Sequence, residues 1–234
     1  MKKGPTTALL AGVALVSMTS CRSPLMDDDQ WAPDASEFDA AVDDDAGPGE
    51  LCPPGTENLF NGAYSYYLGG EESVDLTVTN FSNFRCPHCA SFADLTRGIW
   101  AEREDFRKRV RLYFHHFPFS TETQWWIHAC AEAAGRQGME NFWAVHDLLY
   151  DGMNADPPKQ YSIDEIIAFV DDVLNLDMDQ FDADRESDAM MSFLAWDKSQ
   201  GQAVGVSTTP SVFVCGQKIG WSSVEEVVDG YLNP

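Results

Sequence analysis

Positive charge is what this chain has least of: 15 Lys and Arg stand against 38 Asp and Glu in 234 residues, a formal charge of −23. A nucleic-acid or anionic-membrane surface needs a basic footprint, so neither partner fits. Long apolar runs are lacking as well: the uncharged stretch from Thr6 to Ser20 falls short of the roughly 20 residues that cross a bilayer. There is no internal repeat. With 44% hydrophobic and 12% aromatic residues, the composition is neither disordered nor fibrous. Six cysteines are too few for a small disulfide-stapled scaffold. The length fits one domain, or at most two.

What is present begins with targeting. Lys2 and Lys3 precede the Thr6 to Ser20 stretch, which has the basic and short apolar regions of a secretory signal. It ends Met18-Thr19-Ser20-Cys21, which resembles the lipobox of bacterial lipoproteins. That resemblance implies that residues 1–20 are removed, that Cys21 is lipidated, and that the protein faces the periplasm of a bacterial envelope. Arg22, rather than Asp, follows the cysteine and points to the outer membrane. From Arg22 to Glu50 there are ten acidic residues and one basic one among Pro, Ala, Gly and Ser. Such a segment cannot bury enough apolar surface to offset its chain entropy, so residues 21–50 are expected to be an extended tether. Residues 51–234 are the expected folded domain.

Within that domain, Val74, Leu76 and Val78 alternate with Asp75, Thr77 and Thr79, the period of a half-buried strand stopping at Phe81. Asn80 shares the apolar parity. A helix is expected from Pro87 to about Glu104, and a second alternating strand from Val110 to His116. A helical block follows, over about 121–204. It includes a capping box at Ser162 to Glu165 and a helix from Ser187 stopped by Gly205. Strand signals return at Ser211 to Cys215, with Gln217 to Ile219 as a hairpin partner across Gly216, and Ser222 to Glu225 reads as a capping box for a last helix. The pattern is an α/β sheet protein carrying a helical insertion.

The chemistry centres on Cys86-Pro87-His88-Cys89, which leaves a strand and opens a helix. A thiolate at Cys86 would sit at the positive end of the helix dipole, near free backbone N–H groups and His88, which lowers its pKa. Cys89, one turn further in, stays a thiol. Cys86 is therefore the attacking and leaving sulfur, and Cys89 the resolving one. Stabilising the reduced form in this way makes the pair an oxidant.

Phe81-Ser82-Asn83-Phe84-Arg85-Cys86-Pro87-His88-Cys89 resembles the active-site segment of the DsbA family of thiol:disulfide oxidoreductases, and Gly205 to Val214 is similar to that family's loop before its penultimate strand. The resemblance covers roughly Val74 to Tyr231. It implies a thioredoxin-like fold with the helical insertion between a βαβ half and a ββα half. It also implies a cis Thr209-Pro210 bond lying against the disulfide, with the Thr209 backbone offered to an extended substrate peptide. No cofactor and no metal are implied, since the cysteines carry the electrons. The partners would be thiols and disulfides of exported proteins and a second redox protein that recycles the pair. The working form would be a monomer, in contact with membrane only through its lipid. Asn80 and Asn83 stand where many relatives carry acids, and Asn80 reads as a hydrogen-bonded core amide.

Two other readings compete. The same cysteines could run as a reductase or isomerase, or the C-x-x-C could be half of a zinc site completed by His88, His115 or His116 in a non-enzymatic lipoprotein. Against zinc, there is no second C-x-x-C, and His115 and His116 alternate onto opposite strand faces. Cys52, Cys130 and Cys215 allow at most one further disulfide, and their pairing cannot be ranked from sequence. The local patterns favour Cys130 and Cys215 as small core residues.

Overall fold

The computed structural model describes Cys52 and residues 66–233; the expected signal peptide, Cys21 and the acidic tether lie outside the described residues. Five strands form one sheet: β1 (Tyr66–Gly69), β2 (Leu76–Ser82), β3 (Val110–His116), β4 (Ser211–Val214) and β5 (Gln217–Ile219), in the spatial order β1-β3-β2-β4-β5. β2 and β3 run parallel, with Leu76 opposite Val110 and Ser82 opposite His116. A parallel pair requires a crossover, supplied by α1 (Pro87–Glu102) and the short α2 (Glu104–Arg109). β4 and β5 then extend the sheet antiparallel from β2, and β1 pairs antiparallel with β3.

Between β3 and β4 lie α3 (Glu122–Gly135), α4 (Met139–Asn154), α5 (Ile163–Phe169, continued by a π-helical turn over Val170–Leu174), α6 (Met178–Arg185) and α7 (Asp188–Ala203); α8 (Val224–Leu232) closes the chain. This is the thioredoxin-like α/β fold with its helical insertion between the βαβ and ββα halves, the inserted helices running from Glu122 to Ala203. Ser162 and Glu165 form the expected capping box. Ser187 caps α7, and Gly205, at φ +81, ends it in the left-handed region.

Three local expectations are corrected. β2 is buried on both faces, Thr77 and Thr79 included, because it is a central strand. The first helix breaks at Arg103, whose backbone is extended and whose guanidinium pairs with Asp105 and, on α8, with Glu225 and Asp229. Ser222 caps nothing: Trp221–Ser223 is a 3-10 turn, and α8 starts after Ser223 without a side-chain cap.

Two large packed regions, with a smaller one around Phe81, Phe117, Val206 and Phe213, hold the elements together. Leu76, Val78 and Val212 of the sheet meet Phe92 and Ile99 of α1 and Val228 of α8. The helical block buries Ile127, Phe142 and Phe193 with Phe84 and Phe114 at the end of the sheet. Each such side chain contributes about 1.5–3 kcal/mol by leaving water. Packing is tight at Gly201 of α7, where a Cβ would lie 2.8 Å from the buried Phe81 ring. The result fixes the carboxyl end of β2, where the cysteines follow.

Candidate active site

The turn from β2 into α1 is held by its own side chains. Asn83 donates through Nδ2 to the Phe117 carbonyl (3.1 Å) and to Gln124 Oε1 (2.8 Å), and its Oδ1 accepts from the Arg85 N–H at 2.8 Å. Arg85 in turn donates to the Tyr161 carbonyl at 2.6 Å, tying the turn to the helical insertion. Cys86 then occupies the N-cap of α1 in extended geometry, and Pro87 takes the first helical position, where a missing N–H costs nothing. No acidic residue lies in the first turn. The positive helix end is therefore not neutralised locally.

The two sulfurs sit in opposite environments. Cys86 is half-buried; Cys89 is 1% exposed. The Cys86 thiol is pulled down from 9.0 to about 5, chiefly by the hydrogen bond that the Cys89 thiol gives its sulfur, against the opposing effect of partial burial. Thr209 and the backbone N–H groups of Cys89 and His88 add to the pull. Burial pushes the Cys89 thiol up, and the neighbouring Cys86 adds to it.

The Thr209-Pro210 bond is cis. Thr209 meets Cys86 twice: its carbonyl accepts from the Cys86 thiol at 3.2 Å, and its hydroxyl contributes to lowering the Cys86 pKa. That hydroxyl is buried without a hydrogen-bond partner while Cys86 is a thiol, and a thiolate gives it an acceptor. Thus Cys86, Cys89, Pro87, Thr209 and Pro210 come together. His88 joins through its backbone only. Its exposed imidazole faces the Trp221 ring, with centroids 6.2 Å apart.

The other histidines are engaged elsewhere. His115 Nδ1 lies 2.7 Å from Asp197 Oδ1, and His116 lies 2.7 Å from His128 and 3.2 Å from Glu132 Oε2, all buried. The zinc reading would need these rings at Cys86 and Cys89, and the fold directs them into its core. Neither this cluster nor the Ser82 and Tyr150 hydroxyls, 2.7 Å apart, was identified from sequence. Both join residues far apart in the chain, and nothing short of the fold could show them.

Two further expectations change. Asn80 is buried, but its Oδ1 has no hydrogen-bond partner among the described residues. Asn80 instead lines a cavity of about 330 Å³, together with Phe92, Trp100, Phe114 and His146. Cys215 is not a lone core thiol: it is bonded to Cys52. Cys130 is the core residue expected, its thiol pushed up by burial to about 12.

The family model described as thioredoxin matches residues 65–233. The chain belongs to the thioredoxin family. Within that family its domain is of the DsbA kind, and the protein is a thiol:disulfide oxidoreductase. It is 26% identical over 166 residues to the probable disulfide bond formation protein D of Bacillus cereus, covering 70% of this chain and 77% of that protein. In fold it is similar to oxidised BdbD from Bacillus subtilis (TM-score 0.62, 17% identity, 73% of this chain and 94% of that one). A thioredoxin-like oxidoreductase from Silicibacter pomeroyi is comparably similar (TM-score 0.61, 24% identity, 75% and 96%). Here the sheet and the start of α1 place Cys86 half-buried at the helix N-cap and Cys89 buried one turn further in.

Proposed function

We propose that this protein is an envelope oxidase that passes its Cys86–Cys89 disulfide to thiols of exported proteins. The observation that carries the reading is the opposed setting of the two sulfurs: Cys86 half-buried with its pKa drawn down to about 5, Cys89 buried with its pKa raised. A substrate thiolate attacks Cys86 Sγ, the Cys86–Cys89 bond breaks, and Cys89 leaves with the electron pair. A second substrate thiolate then attacks its own sulfur in the mixed disulfide and releases Cys86 as a stabilised thiolate. The same stabilisation makes Cys86 a good leaving group. No cofactor is required, because the cysteine pair carries both electrons.

Thr209 and Pro210 shape the groove for the substrate's extended backbone. The Cys52–Cys215 disulfide supports an oxidising compartment, since such bonds persist outside the cytosol. Lipidation at Cys21, suggested by the Met18-Thr19-Ser20-Cys21 segment, would hold a monomer at the outer membrane, with a separate redox protein restoring the disulfide.

Cys89→Ser tests the division of roles. The variant should accumulate mixed disulfides through Cys86 when mixed with oxidised glutathione or a disulfide-bearing protein, visible as an intact-mass increase that a reductant removes. A variant that forms no adduct, or forms it through another cysteine, contradicts Cys86 as the exchanging sulfur.

A further inference from the structure

Breaking the Cys86–Cys89 bond leaves a negative charge on a sulfur that is 1% exposed. A buried charge is costly unless hydrogen-bond donors meet it. The buried amide of Asn80 carries no charge, and its oxygen is an acceptor. Hydroxyl groups are available instead. Ser82, the last residue of β2, and Tyr150, on α4, are 0% and 1% exposed, with their oxygens 2.7 Å apart. Hydrogen bonding from Ser82, and from Thr209, lowers the pKa of the Cys89 thiol against burial, and hydrogen bonding with Cys89 raises that of the Tyr150 hydroxyl. The pair holds two hydroxyl protons. One is spent on the bond between the two oxygens, whichever is the donor, and the other is left to point at sulfur.

We infer that the Ser82–Tyr150 hydroxyl pair is a donor that stabilises the Cys89 thiolate as it leaves Cys86 and as it returns to attack. This rests on the oxidoreductase reading above and deepens it. In the forward step the substrate thiolate forms a bond to Cys86 Sγ, the Cys86–Cys89 bond breaks, and its electron pair settles on Cys89. The hydroxyl pair shares that charge until a proton from water neutralises it. No oxidant beyond the enzyme's own disulfide is needed.

The pair is built into rigid surroundings. Phe84 packs beside Tyr150 with centroids 5.3 Å apart, and the His146 ring stands edge-on to Tyr150 at 4.8 Å. The titratable groups facing it are Cys86 at the N-cap of α1, Cys89 of α1, His146 of α4 with Asp147 behind it, His116 of β3 opposite Ser82 in register, and His128 of α3 across Phe84. Burial holds His128 and His146 below the ordinary imidazole range, so neither supplies a standing positive charge to Cys89 near neutrality.

The test is the pH dependence of Cys89 alkylation, followed by mass in the full chain carrying Cys86→Ser, with and without Tyr150→Phe or Ser82→Ala. Losing either hydroxyl should raise the apparent Cys89 pKa by about one unit, and in the chain with Cys86 intact it should slow reduction of the disulfide by dithiothreitol about tenfold. Ser82→Thr keeps a hydroxyl and should keep the parental profile. Alkylation profiles and reduction rates that stay parental in both variants overturn the inference. If Tyr150→Phe does not fold, Ser82→Ala alone decides. A parental chain that does not react with dithiothreitol at all would sink the oxidoreductase reading instead, so the two failures are distinguishable.

Discussion

Serine in place of Cys86 should abolish thiol:disulfide exchange and leave the fold in place. The loss should be at least about a thousandfold, because the reacting sulfur itself is removed and the remaining thiols are poor substitutes. Cys89 and Cys130 are buried and held in the thiol form, and Cys52 and Cys215 are already joined. The same variant exposes a pH effect whose sign follows from the shift. The folded Cys86 pKa, about 5, lies below the 9.0 of a free thiol. Its stabilisation of the reduced protein is therefore complete above pH 9, declines as pH falls, and is gone below pH 5. At pH 7 this amounts to about 2 kcal/mol once solvent screening at a half-buried site is allowed for. Denaturant unfolding of the dithiol form should thus show the parent more stable than Cys86→Ser at pH 8, with the gap closing at pH 4.5. A gap that widens on acidification, or exchange that persists without Cys86, contradicts the assignment.

The second large effect is on stability. Cys52→Ser, or Cys215→Ser, should lower the unfolding free energy by roughly 3–5 kcal/mol, because a disulfide across a long loop removes much of the unfolded chain's freedom. The two cysteines are 163 residues apart in sequence. The bond joins a residue preceding the sheet to the turn between β4 and β5, where Cys215 is fully buried and its N–H donates to the Thr77 carbonyl at 3.1 Å. The active cysteines are not part of this bond, so the folded fraction should keep its exchange activity. A loss below about 1 kcal/mol would mean that the unfolded state is already restrained in another way.

What the chain discloses about itself follows the range of each signal. Cys86-Pro87-His88-Cys89 after a strand, the strand from Val110 to His116, the Ser162 capping box and the Gly205 stop are all local, and each element appears in the structure where the sequence places it, although β3, like β2, is buried on both faces beyond Arg111. The cis Thr209-Pro210 bond is legible only through the resemblance to DsbA proteins, since periodicity says nothing about peptide isomers. β1 is only four residues long and owes its place to β3, with Tyr66 opposite Phe114. The break at Arg103 depends on carboxylates 122 and 126 residues away. Ser82 meets Tyr150 across 68 residues, and the Cys52–Cys215 bond cannot be ranked against its alternatives without distances. The two cysteines of the proposed exchange are thus written in one short motif, whereas the groups that would tune them are brought in by the helical insertion.

The most direct test of the oxidase reading is the redox equilibrium of the protein against glutathione, with the thiols of Cys86 and Cys89 counted as the buffer is varied. About 2 kcal/mol of thiolate stabilisation, which already includes the hydrogen bonds from Cys89 and Thr209, corresponds to a shift on the order of 40 mV toward oxidising potentials. The expected result is a two-electron transition displaced from the reducing end of the scale, about −270 mV, toward the strongly oxidising end, about −120 mV. A transition at the reducing end would contradict the oxidase reading and assign the same two cysteines to a reductase.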